Sequence, residues 1–218
     1  MTERGLRSDL LSADRPAPAR MARAEVAASQ RARMLRGMAE AVAEKGYANT
    51  VVADVVSRAR VSRKTFYEHF ASLEDCFLAT FDECVTVVRT ALETPLDPSL
   101  PVAEQGRLML ESYLAMLASE PKVAKTNLVE VYAAGPRAAR LRRTALEGFA
   151  DLLKLLHARL RAEGRATREL SDLDYELIVG GISAAVTIRV ATGDTAELPA
   201  LAPALTTYVL RALGTEVA

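Results

Sequence analysis

The sequence predicts an all-α fold of about nine helices. Three observations carry that expectation. Apolar residues recur at spacings of three and four along most of the chain. Capping residues, glycines and prolines fall where those runs begin and stop, and no stretch alternates apolar with polar as a half-buried strand would. At 50% hydrophobic, the 218 residues can build a sizeable core and are too apolar for a disordered chain.

Taken in order, residues 1–25 hold Pro16, Pro18 and scattered Arg15, Arg20 and Arg23, and read as a flexible basic arm. From Val26 the pattern turns helical, with Met34, Leu35, Met38 and Val42 on one side and a stop at Gly46, which accepts a left-handed cap; Tyr47 packs back onto this helix. Thr50 has N-cap chemistry for a second helix, with Asp54 in its first turn and Val51, Val52, Val55 and Val56 on its buried side. These β-branched residues are middling helix formers, so tertiary packing must hold the element. It ends near Ala59. After a turn at Arg60-Val61, Ser62 caps a third helix reaching Phe70, and Ser72 caps a fourth with Asp75 at its third position.

Three prolines between Glu93 and Pro101 forbid a helix there. A helix carrying Leu108, Leu110, Leu114 and Leu117 stops before Pro121, and another runs from Pro121 toward Ala134. A long one spans about Arg137 to Glu163 and ends at Gly164. Ser171 caps the most apolar helix, which stops at Gly193. Pro199 and Pro203 sit near the start of a last helix striped by Leu201, Leu205, Tyr208, Val209 and Leu213. The most hydrophobic run, Leu177 to Ile188, falls short of the roughly 20 residues that cross a bilayer, so it reads as a buried helix.

Catalysis finds little footing. The two histidines, His69 and His157, belong to no Cys/His or Ser/His/Asp spacing, and neither phosphate-binding glycine fingerprint occurs. Cys76 and Cys84 sit too far apart along one helix to bridge, and fit an apolar face beside Phe77 and Phe81 better than a metal site. No enzyme activity, cofactor or metal is expected. Met1–Asp14 has no apolar signal core, and the compartment read from this is reducing and cytoplasmic.

Zero net charge hides an asymmetry. Residues 1–72 hold 13 Lys/Arg against 8 Asp/Glu, whereas residues 73–120 hold 2 against 9. A basic N-terminal segment ahead of an acidic stretch suggests a polyanion reader at one end and different work at the other.

The informative segment runs from Thr50 to Phe70. Two short helices joined by a tight turn match helix-turn-helix geometry. The second opens with Ser62, Arg63, Lys64 and Thr65, followed by Tyr67 and His69, all hydrogen-bonding groups suited to a phosphate-lined groove. Arg or Lys can pair with guanine O6 and N7, while Thr, Tyr and His suit phosphate oxygens. Phe66 and Phe70, four apart, share the face that anchors the helix to a core.

Here the chain resembles the tetracycline-repressor (TetR-type) family of bacterial transcriptional regulators. The resemblance runs from about Ala28 to Asp82 and rests on Glu44-Lys45-Gly46-Tyr47, Thr50-Val51-Val52-Ala53-Asp54-Val55, Val61-Ser62-Arg63-Lys64-Thr65-Phe66-Tyr67-Glu68-His69-Phe70 and Ser72-Leu73-Glu74-Asp75 in order. It implies a three-helix DNA-binding domain over 26–72, with Thr50, Ser62, Arg63, Lys64, Thr65, Tyr67 and His69 as DNA contacts. It also implies a helical ligand-binding and dimerisation domain over 73–218. Two residues depart from the pattern. Arg60 stands where a glycine usually supplies positive φ, and Leu73 stands where a lysine often contacts phosphate.

Within 73–218, Met109, Tyr113, Met116, Asn127, Glu130 and Phe149 are candidate walls of an effector pocket. Glu130, in a near-continuous apolar stretch, needs a hydrogen-bonding partner, a cationic ligand or an arginine such as Arg140. Only Lys122 and Lys125 bring positive charge near this region, so the expected effector is largely apolar, with a cationic or hydrogen-bonding group toward Glu130 or Asn127. Gly180, Gly181 and Ala184 form a small-residue face that admits a close neighbour. With Leu201, Leu205 and Tyr208 they make the expected homodimer interface, two helices per subunit. The function implied is a cytoplasmic, effector-released repressor of a palindromic DNA operator. The alternative is a ligand-sensing protein of the same fold that has lost specific DNA binding.

Overall fold

The computed structural model describes residues 18–93 and 99–215, and among these residues the chain is nine α-helices and three short 3-10 segments, with no strand. The helices are α1 (Pro18–Lys45), α2 (Val52–Ala59), α3 (Arg63–His69), α4 (Leu73–Glu93), α5 (Val102–Ser119), α6 (Pro121–Leu128), α7 (Pro136–Ala162), α8 (Asp172–Thr192) and α9 (Ala202–Ala212). The all-α expectation holds.

Its boundaries differ from the expected ones in three places. The helix expected from Val26 begins at Pro18, so residues 18–25 are helical and not a flexible arm; Pro suits the first turn, and Ala, Arg, Met and Glu that follow are good helix formers. Arg15 and the rest of residues 1–17 lie outside the described residues. Gly46 does end α1, but in an extended positive-φ conformation (φ 79°, ψ 153°) open essentially to glycine alone, and not in the expected left-handed one. Tyr47 then sets its ring edge-on against Phe77 of α4, centroids 4.8 Å apart.

The third difference is α6, which stops at Leu128 instead of running toward Ala134. A 3-10 turn over Glu130–Tyr132 and Gly135 (φ 89°) replace the missing helix. The break carries Val131, Ala134 and Ala138 into the core beneath α1 and α4.

That first core is a single cluster. Met34, Met38 and Val42 of α1, Val55 of α2, Phe66 of α3 and Phe77 and Phe81 of α4 are all buried in it. Gly37 lets α2 lie directly on α1: a Cβ there would stand 3.0 Å from the Val55 carbonyl oxygen. The C-terminal half divides its core into two clusters instead. Leu114, Leu117, Leu128, Val186, Val190 and Leu198 form one, and Val102, Leu160, Tyr175, Ile178 and Leu213 the other.

Candidate functional site

The α2–turn–α3 unit is built by local chemistry. Asp54 accepts the Val51 N–H (3.0 Å) and pairs with Lys45, contacts that hold its carboxyl below the usual range, Lys45 contributing most. Arg60 closes α2 in the left-handed conformation (φ 54°, ψ 48°), the one non-glycine at positive φ among the described residues. The Val61 N–H reaches back to the Val56 carbonyl, completing a Schellman turn. The departure at Arg60 is therefore a strained residue in an unaltered turn, costing about 1 kcal/mol. Ser62 caps α3, its Oγ accepting the Thr65 N–H at 3.0 Å.

Phe66 and Phe70 bury one side of α3, which leaves Ser62, Arg63, Lys64 and Tyr67 exposed and Thr65 and His69 half-exposed. Tyr67 is 57% exposed although its ring edge touches Phe66. Lys64 is tied only to Glu68, at 3.9 Å on an open surface, a contact too weak to hold it from a phosphate. Thr50 does not join this surface. It precedes the true N-cap, Val51, and is buried with its hydroxyl donating to the Gly46 carbonyl (2.8 Å), so it fastens the α1–α2 bend and is withdrawn from the DNA contacts. Leu73 packs against the aromatic core. Behind it, the first turn of α4 is occupied by the Ser72 cap and by Glu74 and Asp75, both bound to Arg137 at 3.0 Å.

A row of hydrogen bonds joins this reading head to the C-terminal half. Thr126 Oγ1 donates to the Ala39 carbonyl and Lys125 Nζ to the Ala43 carbonyl, both at 2.9 Å. Lys122 pairs with Glu44, which also binds Arg58; together they hold its carboxyl down to about 2, Lys122 contributing most. Glu130 Oε2 accepts the Tyr47 N–H at 2.9 Å.

Between α5, α7, α8 and α9 lies a cavity of about 170 Å³. Of the expected wall residues it brings together Met109, Tyr113 and Phe149, and surrounds them with leucines of α7 and Val179, Ile182, Val209 and Leu210. Three expectations fail. Met116 lies in a separate cleft of about 490 Å³ between α1, α4, α5 and α6. Asn127 is buried in α6 with its amide donating to the Val123 carbonyl (2.8 Å), and is not a cavity wall. Glu130 is the junction acceptor just described, so no carboxylate awaits a cationic ligand there. The cavity's charged groups are guanidinia instead. Arg107 is matched by Glu104 and Glu111, and Arg142, only 6% exposed, reaches Ser183 Oγ. Reading along the chain missed Arg142 because it lies among Arg140 and Arg143 in a polar-looking run; the helical spacing of four, three and four through Ala138, Arg142, Ala145 and Phe149 was the available signal.

Residues 35–80 match the family model for bacterial regulatory proteins of the tetR family. This segment, α1 to the start of α4, therefore carries the family's N-terminal DNA-binding domain. It is 23% identical over 167 residues to the fatty acid metabolism regulator protein of Bacillus subtilis (strain 168), covering 74% of this chain and 84% of the relative. The fold is similar to that of the fatty acid degradation regulator FadR from Bacillus halodurans (TM-score 0.77, 21% identity, 86% of this chain and 97% of that one). It is also similar to FadR from B. subtilis in complex with stearoyl-CoA (TM-score 0.74, 18% identity, 83% and 98%).

Several of the exposed large hydrophobic side chains lie on α8. By length and composition alone it could cross a membrane, and the expectation of a buried helix fails, since Leu173, Leu177 and Ile188 are each about 60% exposed. Gly181 and Ala184 lie on the same exposed side, and Tyr208 of α9 borders it, with its hydroxyl oxygen 3.4 Å from where a Gly181 Cβ would stand. Gly180 is half-buried. Leu201 and Leu205 are half-buried and pack against the Leu114–Leu198 cluster. Their stripe could not be oriented without knowing that α5 lies against it. Among the described residues no three His, Cys, Asp or Glu side chains gather as metal ligands. Burial pushes the Cys76 and Cys84 thiols up to about 12 and about 11, so neither is a ready thiolate.

Proposed function

We propose that this chain is a TetR-family regulator, a cytoplasmic homodimeric repressor that reads a palindromic operator with α3 and leaves it when a small lipophilic effector enters the cavity. The observation that carries the reading is the double duty of α7. Its first turn grips Glu74 and Asp75 through Arg137, directly behind α3, while the same helix lines the cavity from Arg142 to Leu156. An effector that shifts α7 therefore moves the start of α4 and the helix seated on it. Two half-sites about 34–36 Å apart, or a multiple, tolerate little relative movement of the two heads.

The exposed Leu173, Leu177, Gly181, Ala184 and Ile188 face supports a dimer formed by α8 with Tyr208 of α9 from each subunit, because so continuous an apolar stripe calls for cover. In the DNA complex Arg63 and Lys64 face bases, while Ser62, Thr65, Tyr67 and His69 face phosphates. The stearoyl-CoA bound to a protein of similar fold supports an effector with a long apolar part.

The test is selection of bound duplexes from a random pool, followed by titration with candidate effectors. Recovery of a two-fold symmetric site, released by an apolar compound about 5- to 150-fold, is the expected result. Recovery of no preferred sequence, with ligand binding intact, would establish the sensor that no longer reads DNA.

A further inference from the structure

The cavity's two guanidinia lie apart along its length: Arg107 beside Gly106, matched by Glu104 and Glu111, and Arg142 beside Ser183 with no carboxylate. The Arg142–Ser183 and His157–Tyr175 contacts run α7 and α8 antiparallel. Arg142 and Ser183 therefore share the end nearest the reading head, with Arg142 within two turns of Arg137; Tyr113 interacts with Arg142, and Thr206 lines the same cavity. Gly106, Leu156 and Val179 mark the far end, about 21 Å along α7 at 1.5 Å per residue. Arg142 is only 6% exposed and its buried Nε has no protein partner; nor has the buried Oγ1 of Thr206 in the same cavity.

A buried cation without a counter-charge is costly. No residue described as lining this cavity is Asp or Glu. The neighbouring Tyr113 and Cys84 cannot substitute, because burial holds both protonated, the phenol up to about 12 and the thiol up to about 11. The expectation of a cationic ligand group is thus reversed by the same reasoning that produced it: the charge awaiting a partner is positive.

We infer that the effector is a monoanionic amphipath, a fatty carboxylate whose head seats against Arg142, Ser183 and Thr206 and whose chain runs toward Leu156. This rests on the effector reading above and names its chemistry. A planar carboxylate matches the guanidinium fork with one charge against one. A multiply charged head finds no second free cation in the wall, since Arg107 is already bound by two carboxylates. Seating an anion here also draws on α7 and α8 at the level where α7 meets the head.

The experiment compares decanoate, decanol, decyltrimethylammonium and decanoyl-CoA on the full-length protein, by calorimetry, thermal shift and release of a selected duplex. Decanoate is expected to bind at least about tenfold tighter than decanol, to raise the melting temperature and to release the duplex. Arg142→Met should abolish that preference, and Ser183→Ala should weaken decanoate by a few-fold with no effect on decanol. The head-group comparison on wild type stands even if Arg142→Met does not fold. Decanol, decyltrimethylammonium or decanoyl-CoA binding as tightly as decanoate would overturn the inference. So would a carboxylate preference that survives Arg142→Met. If those other compounds release the duplex, the effector reading stands while this inference falls; if no amphipath binds at all, both fall.

Discussion

The reading head and the effector half are built from the same kind of helix, yet they keep their chemistry in different places. In the head, the functional groups are neighbours in sequence on the outer face of one short helix, and the core beneath is filled by Met34, Met38, Phe66, Phe77 and Phe81. In the effector half the core is split, and a cavity between the helices collects Tyr113, Arg142, Ser183 and Thr206 from four of them. A rigid base lets an exposed surface hold its shape, whereas a sensor needs unfilled volume and unmatched polarity that a ligand can satisfy.

Truncating the core should break this comparison most visibly. Phe66→Ala is expected to cost about 3–5 kcal/mol and to abolish DNA binding, since it empties a fully packed site. Leu153→Ala, which only widens an existing cavity, should fall near the low end of the Leu→Ala range, about 2 kcal/mol. Urea denaturation of both variants checks the pair, and equal losses would mean that the cavity is no looser than the head.

Arg63→Ala with Lys64→Ala should lower operator affinity by about a hundredfold or more while leaving helicity, dimerisation and effector binding intact. Fluorescence anisotropy against the selected duplex measures it. Leu177→Glu or Ile188→Glu tests the bare face: these side chains are already in water in one subunit, so each subunit should stay folded and dissociate, as read by analytical ultracentrifugation. A dimer unaffected by either variant would place the interface elsewhere.

Two smaller effects sharpen the contrast. Arg60→Gly should stabilise the head by about 1 kcal/mol, because it removes a left-handed non-glycine residue, and differential scanning calorimetry would detect this. In the effector half, His157 is buried against the Tyr175 hydroxyl at 2.7 Å, and burial lowers its pKa. Its unfolded imidazole titrates near 6.5, so the folded form binds the proton less readily than the unfolded form does. The contribution is present above about 6.5 and is lost as pH falls toward the folded value. The melting temperature should therefore drop on acidification, with His157→Gln flattening the slope.

Most of the helical framework and nearly all of the reading surface were legible along the chain. Ser62, Ser72 and Ser171 cap helices, and Gly135, Gly164 and Gly193 interrupt or end them, through contacts a few residues long. The outward set on α3 follows from the spacing of Phe66 and Phe70 alone. Thr50 failed because its hydroxyl could cap forward or bond back, and only the buried bend at Gly46 chose.

The sequence by itself determined an all-α chain with a helix-turn-helix head, because periodicity, caps and turn residues act over one or two turns. Tertiary structure alone decided that Glu130 locks Tyr47 at the junction, that Arg142 lies unmatched in a cavity, and that Leu177 and Ile188 face outward while Leu201 and Leu205 pack against the Leu114–Leu198 cluster. Each of those outcomes depends on which helix packs opposite. Glu130 and Tyr47 are 83 residues apart and Arg142 and Ser183 are 41, so no local pattern carries the information that pairs them.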